Sequence, residues 1–156
     1  PPLETTTEAW TYSLPIPPRR TLWWVALQQL RERPLLGIGL DNFRLTYGAV
    51  LNATRWNETI HTNNWVLEFL VGGGVLGGTL FFVWLLHLGL DGLSRLRSLS
   101  TTADDLWQMA ILAALLAYAV HGLLDFFLLF NATGLLFWLL VGLYWHSQKE
   151  RHAYRN

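Results

Sequence analysis

The 156-residue sequence has no cysteine, one methionine and few charges, with only 14% of its residues being Asp, Glu, Lys or Arg. The missing cysteine excludes a disulfide framework and any thiolate-ligated metal. Soluble domains carry about 25% charged residues, so the sparse charge argues against a fully water-facing surface. The formal net charge is zero, which removes a global electrostatic attraction to nucleic acid. A signal-peptide pattern is also missing, since no basic flank leads into an apolar run before the first Pro-rich stretch. The chain opens on Pro1-Pro2 rather than Met, and the expectation is a C-terminal piece of a longer membrane protein.

What the sequence does have is apolar length. Hydrophobic residues make up 52%, nine residues are Trp, and three apolar segments stand out at about 65–90, 106–124 and 130–146. At about 1.5 Å per residue, the first is long enough to cross a hydrocarbon core of about 30 Å with some tilt. The expected fold class is all-α integral membrane: three transmembrane helices preceded by a mostly helical extracytoplasmic segment, residues 1–64, and followed by a tail at 147–156. Orientation follows from the short loops. Arg95 and Arg97 lie between the first and second spans, Lys149, Arg151 and Arg155 follow the third, and the second-to-third connection has no Lys or Arg. The tail is therefore expected in the cytoplasm and residues 1–64 outside it.

Within residues 1–64, a Pro- and Thr-rich stretch at 1–18 reads as extended. A helix is expected from 21 to 33, where Leu22, Trp23, Ala26, Leu27 and Leu30 form an apolar face between Pro17-Pro18 and Pro34. Gly37-Ile38-Gly39 reads as a turn, and Asp41 as the cap of a second helix at 42–51. The glycine pair there lacks the third glycine and the preceding strand of a dinucleotide fingerprint.

Polar residues gather at the mouth of the first span: His61, Thr62, Asn63 and Asn64, with Glu68 one turn inside. Asn63 and Asn64 can satisfy the orphan N–H groups of a helix entering the bilayer. Glu68 must find a partner or reach the surface. The spacings Gly73-x-x-x-Gly77 and Gly74-x-x-x-Gly78 suit close packing of membrane helices. His121 and Asp125, at i and i+4, are expected on one helical face near the outer end of the second span, where ionisable groups default to functional candidates.

The order of these features resembles a known family. Arg20-Thr-Leu-Trp23 leads a helix, Arg33-Pro-Leu-Leu-Gly-Ile-Gly-Leu-Asp-Asn-Phe43 and Tyr47 follow, then the His/Asn cluster, Gly74-Val-Leu-Gly77 and His121-Gly-Leu-Leu-Asp125. Together they resemble the C-terminal part of the bacterial O-antigen ligase and polymerase family. The resemblance implies a larger, GT-C-like polytopic glycosyltransferase of the bacterial inner membrane, completed by upstream transmembrane helices. Its partners would be a polyprenyl diphosphate-linked glycan and an acceptor lipid, glycan or protein, and it needs no nucleotide, metal or other cofactor.

The family motif is His, then Asn, Ser or Gln, nine residues, then Gly-x-x-Gly; counted back from Gly74 and Gly77, its His falls on Asn63 and its polar partner on Asn64. His61 lies two residues earlier. In the implied reaction an acceptor hydroxyl displaces a lipid diphosphate at an anomeric carbon. Arginine suits the diphosphate because its planar fork binds phosphate oxygens bidentately, which makes Arg20, Arg33, Arg44 and Arg55 the donor candidates. A base near neutral pH favours histidine, which makes His61 the candidate beside Asn63 and Asn64, with His121 and Asp125 as further substrate-binding candidates. Ligase and polymerase remain alternatives, with Asn63 tilting toward a divergent member or a polymerase. A transporter or non-enzymatic scaffold would also explain a glycine-packed helix and intramembrane His and Asp.

Overall fold

The computed structural model describes residues 16–96, 102–126, 128 and 131–155, and among them all regular structure is helical. We label the helices α1 (Arg19–Glu32), α2 (Phe43–Val50), α3 (Trp65–Leu96), α4 (Ala103–Gly122) and α5 (Asn131–Arg155). Most of the expected extended stretch, 1–15, lies outside the described residues. Pro18, at φ −62 and ψ 148, delivers the extended chain to the start of α1.

The residues fall into two compact units, one ending at Leu80 and one beginning at Phe81. In the first, α1 buries Leu22, Val25, Ala26 and Gln29, a stripe at i, i+3, i+4 and i+7. Trp23 and Leu27, read from sequence as part of the apolar face, are exposed, as is Trp24. The stripe packs on Phe43 and Tyr47 of α2 and on Val71 of α3. The Phe43 and Tyr47 rings stack at 5.7 Å, and Trp56 meets Tyr47 edge-on at 6.4 Å. Tyr47 donates its hydroxyl to the Asn57 carbonyl at 2.9 Å, and Trp56 donates Nε1 to the Arg44 carbonyl at 3.1 Å, so the loop after α2 is tied back over it.

Asp41 does not cap α2. Its backbone is left-handed, at φ 66, and its carboxylate is held by Arg44; the residue before the helix is Asn42, which makes no side-chain cap.

α3 is broken at Gly74, whose φ of 65 and ψ of −173 lie outside the helical region. A break frees carbonyls before it and amides after it. Here the 34–39 loop takes up both sets. Ile38 and Gly39 donate to the Val71 and Gly72 carbonyls at 2.9 Å each, while Val75 and Leu76 donate to the Pro34 and Leu35 carbonyls at 2.7 and 3.2 Å. Two glycines make the approach feasible: a Cβ on Gly37 would run into the Val71 carbonyl, and one on Gly74 into the Leu35 carbonyl. The glycines at 72 and 74 thus serve a loop of the same chain, whereas Gly77 has open space where its Cβ would lie.

The second unit packs Leu88, Ile111, Leu115, Phe137, Val141 and Tyr144 into one core. Trp84 and Trp138 lie 5.7 Å apart, and Asp91 accepts from the Tyr144 hydroxyl at 2.6 Å and from Arg95 Nε at 2.9 Å. Thr102 caps α4 by accepting from the Asp105 amide at 3.3 Å. The Asn131-Ala132-Thr133-Gly134 stretch forms the first turn of α5. Two helical stretches are long and apolar enough to cross a membrane, Trp65–Arg95 and Asp105–Gly122; the apolar part of α5, Ala132–Ser147, is shorter.

Candidate functional site

His61 is the centre of the most developed polar cluster in the first unit. It is buried, with 7% of its surface exposed, beside Thr62 at 0% and Glu68 at 2%. Its neighbours follow from one backbone device. Asn63 takes the left-handed conformation, φ 52, at the reversal that leads into α3. Asn are tolerated there because a short polar side chain can bond locally. The reversal brings residues 61 and 62 back over the first turns of the helix. Asn64 then caps α3, its Oδ1 accepting from the Leu67 amide at 3.0 Å. Thr62 donates its hydroxyl to the Asn64 carbonyl at 2.8 Å, and its own carbonyl accepts Trp23 Nε1 from α1 at 2.9 Å.

Glu68 finds its partners inside this fold rather than at the surface. One oxygen lies 3.2 Å from His61 Nδ1 and the other accepts the Thr62 amide at 2.9 Å. With the carboxylate ionised, Nδ1 is the nitrogen that carries hydrogen, which fixes the tautomer and leaves the lone pair on Nε2. On the Nε2 side stands Asp41, whose Oδ1 is 4.0 Å away. That distance is too long for a hydrogen bond but close for charge. A proton taken up at Nε2 would place the ring between two carboxylates.

Asp41 is held in turn by Arg44, whose Nε and Nη2 donate to its two oxygens at 2.8 Å each. This hydrogen-bonded guanidinium keeps the Asp41 carboxyl below its usual range, against the opposing effect of burial. Arg44 also donates Nη1 to the Glu58 carbonyl at 3.1 Å. Three of the five guanidinium N–H groups are thereby engaged, and two are left for a ligand.

The other candidates do not converge on His61 in this way. Arg20 and Arg33 are exposed near opposite ends of the 14-residue α1, about 20 Å apart along the axis, and so do not form one clamp. Arg55 is exposed in the loop after α2. None of the three forms an ion pair with a described residue. Asn63 forms a backbone turn and Asn64 a cap.

In the second unit, His121 is exposed in the last turn of α4, and Asp125 lies beyond the helix, which ends at Gly122. The two are therefore not on one helical face, although the Asp125 amide still donates to the His121 carbonyl at 3.1 Å. Asp125 Oδ1 accepts the Phe126 amide at 2.7 Å. Both residues line a cavity of about 650 Å³ together with Tyr118, Leu124 and Thr133.

Sequence reasoning did not pair Asp41 with His61, because no periodicity links a turn before α2 to a turn before α3. Among the described residues, no group of three His, Cys, Asp or Glu is disposed to hold a metal ion. Comparison of the chain with protein-family models, curated proteins and solved structures finds no match.

Proposed function

We propose that the chain is the C-terminal part of a bacterial inner-membrane glycosyltransferase of the O-antigen ligase type. It would move a glycan from a polyprenyl diphosphate carrier to an acceptor hydroxyl on the extracytoplasmic side. The observation that carries this reading is the buried His61–Glu68 pair at the head of an apolar helix, with the part-exposed Asp41 4.0 Å from Nε2 and Arg44 alongside. Its chemistry matches the demand of the reaction. The acceptor oxygen bonds to the anomeric carbon, the bond from that carbon to the diphosphate oxygen breaks, and the hydroxyl proton passes to His61 Nε2. The diphosphate departs carrying the developed charge. Access to Nε2 is from the Asp41–Arg44 side, where the two side chains are 39% and 32% exposed. The two remaining N–H groups of Arg44 then serve as one contact to the diphosphate. His61 stands two residues before the motif position at Asn63 and is the base in this reading on its own contacts to Glu68 and Asp41.

The test is glycan transfer in membranes that hold the full protein and a polyprenyl diphosphate-linked glycan. Arg44→Ala is expected to lower transfer most among the four arginines, by about tenfold or more, because it removes a charge-assisted donor and releases Asp41. Arg20→Ala, Arg33→Ala and Arg55→Ala are expected to have smaller effects. Unchanged transfer in all four and in the combined variant would sink the diphosphate assignment. The topology is checked separately: a reporter fused after Asn156 should read cytoplasmic and one inserted near Asn57 should read periplasmic. The opposite result would invert the orientation and remove the extracytoplasmic reaction.

A further inference from the structure

The loop that repairs the break in α3 carries an unusual load of uncovered apolar side chains. Leu35, Leu36 and Leu40 are exposed, Leu36 to 75%, and so are Val75, Leu76 and Leu80 just after the break. Part of the loop's backbone, by contrast, is tied down. Its Ile38 and Gly39 amides and its Pro34 and Leu35 carbonyls are spent on α3, and the Gly37 amide donates to the Arg33 carbonyl at 3.0 Å. Backbone groups bonded to the helix, with greasy side chains outside, suit a non-helical segment at the edge of a hydrocarbon environment.

The helix itself indicates where the bilayer starts. Residues 75–95 alone extend roughly 30 Å, the thickness of a hydrocarbon core. From Val75 the helix has no Asp, Glu, Lys or Arg before Asp91, and His87, Asp91 and Arg95 fall in its last turns, near the opposite interface. The segment before the break carries Glu68, bonded into the polar cluster with His61 and Thr62. Carboxylates at membrane depth are costly, and a bilayer boundary at Gly74 leaves Glu68 and Asp41 above it. Arg33 is exposed at the start of the loop, on the rim where a headgroup phosphate would lie.

We propose that the bilayer meets α3 at Gly74 rather than at Trp65, and that residues 34–40 form a membrane-inserting segment whose Leu35, Leu36 and Leu40 enter the nearer leaflet. The occupant of this apolar face is lipid. The inference rests on α3 crossing a membrane and not on glycan transfer, so each can fail without the other.

The absence of cysteine from these 156 residues permits a direct test. The full protein, cysteine-free apart from the labelled site, is reconstituted in vesicles of phosphatidylethanolamine and phosphatidylglycerol. An environment-sensitive fluorophore is attached to Leu36→Cys, to Leu40→Cys or, as a water-facing control, to Glu58→Cys. Lipid-borne nitroxide is expected to quench the Leu36 and Leu40 probes several-fold more than aqueous iodide does, with the order reversed at Glu58. Iodide quenching at Leu36 and Leu40 equal to that at Glu58 would place the loop in water and overturn the proposal. Protection of Leu36 and Leu40 from both quenchers would also overturn it, by showing that other protein covers the face. All three sites are exposed, so the substitutions leave the core intact.

Discussion

His61→Ala is expected to lower glycan transfer by the full protein by about 10²–10⁴-fold, the range that a positioned acid–base group contributes. The ring cannot be replaced by a neighbour, because Asn63 and Asn64 are committed to a turn and a cap and neither side chain titrates near neutral pH. Glu68 is expected to act through His61. Glu68→Gln keeps the side-chain volume and can still accept the Thr62 amide, but it withdraws the charge that fixes the imidazole tautomer. Transfer should fall by about tenfold or more in that variant. If Glu68 works only by positioning the ring, His61→Ala/Glu68→Gln should transfer no worse than His61→Ala alone, the non-additivity expected of residues acting as a unit. A multiplicative loss would give Glu68 an independent role. Normal transfer by His61→Ala, at wild-type protein levels, would remove the histidine from the mechanism. Glu68→Ala is the less informative change, since it leaves the buried Thr62 amide unsatisfied at a cost of about 1–3 kcal/mol and mixes stability with chemistry.

Gly74→Ala is expected to be the most destabilising single-methyl change in the first unit, at about 3 kcal/mol or more. Its φ of 65 with ψ of −173 belongs to a region open essentially to glycine alone, which accounts for about 1–3 kcal/mol. The added methyl also meets the Leu35 carbonyl and the Leu36 amide, so the loop must lift and give up backbone bonds, each a net contribution of about 0.5–1.5 kcal/mol. For a chain of this size the melting temperature of the detergent-solubilised protein should drop by roughly 6–12 °C. Gly77→Ala, four residues from Gly73 and with open space where its Cβ would lie, is the control: alanine is the better helix former, and the melting temperature should stay level or rise. Equal melting of Gly74→Ala and wild type would mean that the break is not held by the loop.

Much of the architecture could be read from local pattern. Pro18 and Pro34 bracket α1, which runs Arg19–Glu32 against an expected 21–33, and α2 runs Phe43–Val50 against 42–51. The membrane-like helices announced themselves through composition, because a stretch such as 69–90 has no charge to place in lipid. What escaped the sequence was non-local. The glycine run was read by its period-four spacing as a helix-packing face, but Gly74 is a break and its partner is a loop nearly forty residues upstream. Hydrophobicity places Trp23 and Leu27 in the apolar face of α1, while the buried stripe is Leu22, Val25, Ala26 and Gln29. His61 was recognised as a candidate base, yet both of its carboxylate neighbours come through turns in left-handed conformations, at Asp41 and Asn63, and no spacing rule anticipates those. At the end of α4, the i, i+4 rule assumed a helix that stops at Gly122 before reaching Asp125.

The repaired break in α3 also governs how failure would propagate. Four backbone bonds join one short loop to the two halves of the helix. Lifting it would open two helix ends together, exposing two carbonyls and two amides at once. Glu68 is carried on the half before the break, so release of the loop would slacken the carboxylate that orients His61 before any residue of the polar cluster itself had changed.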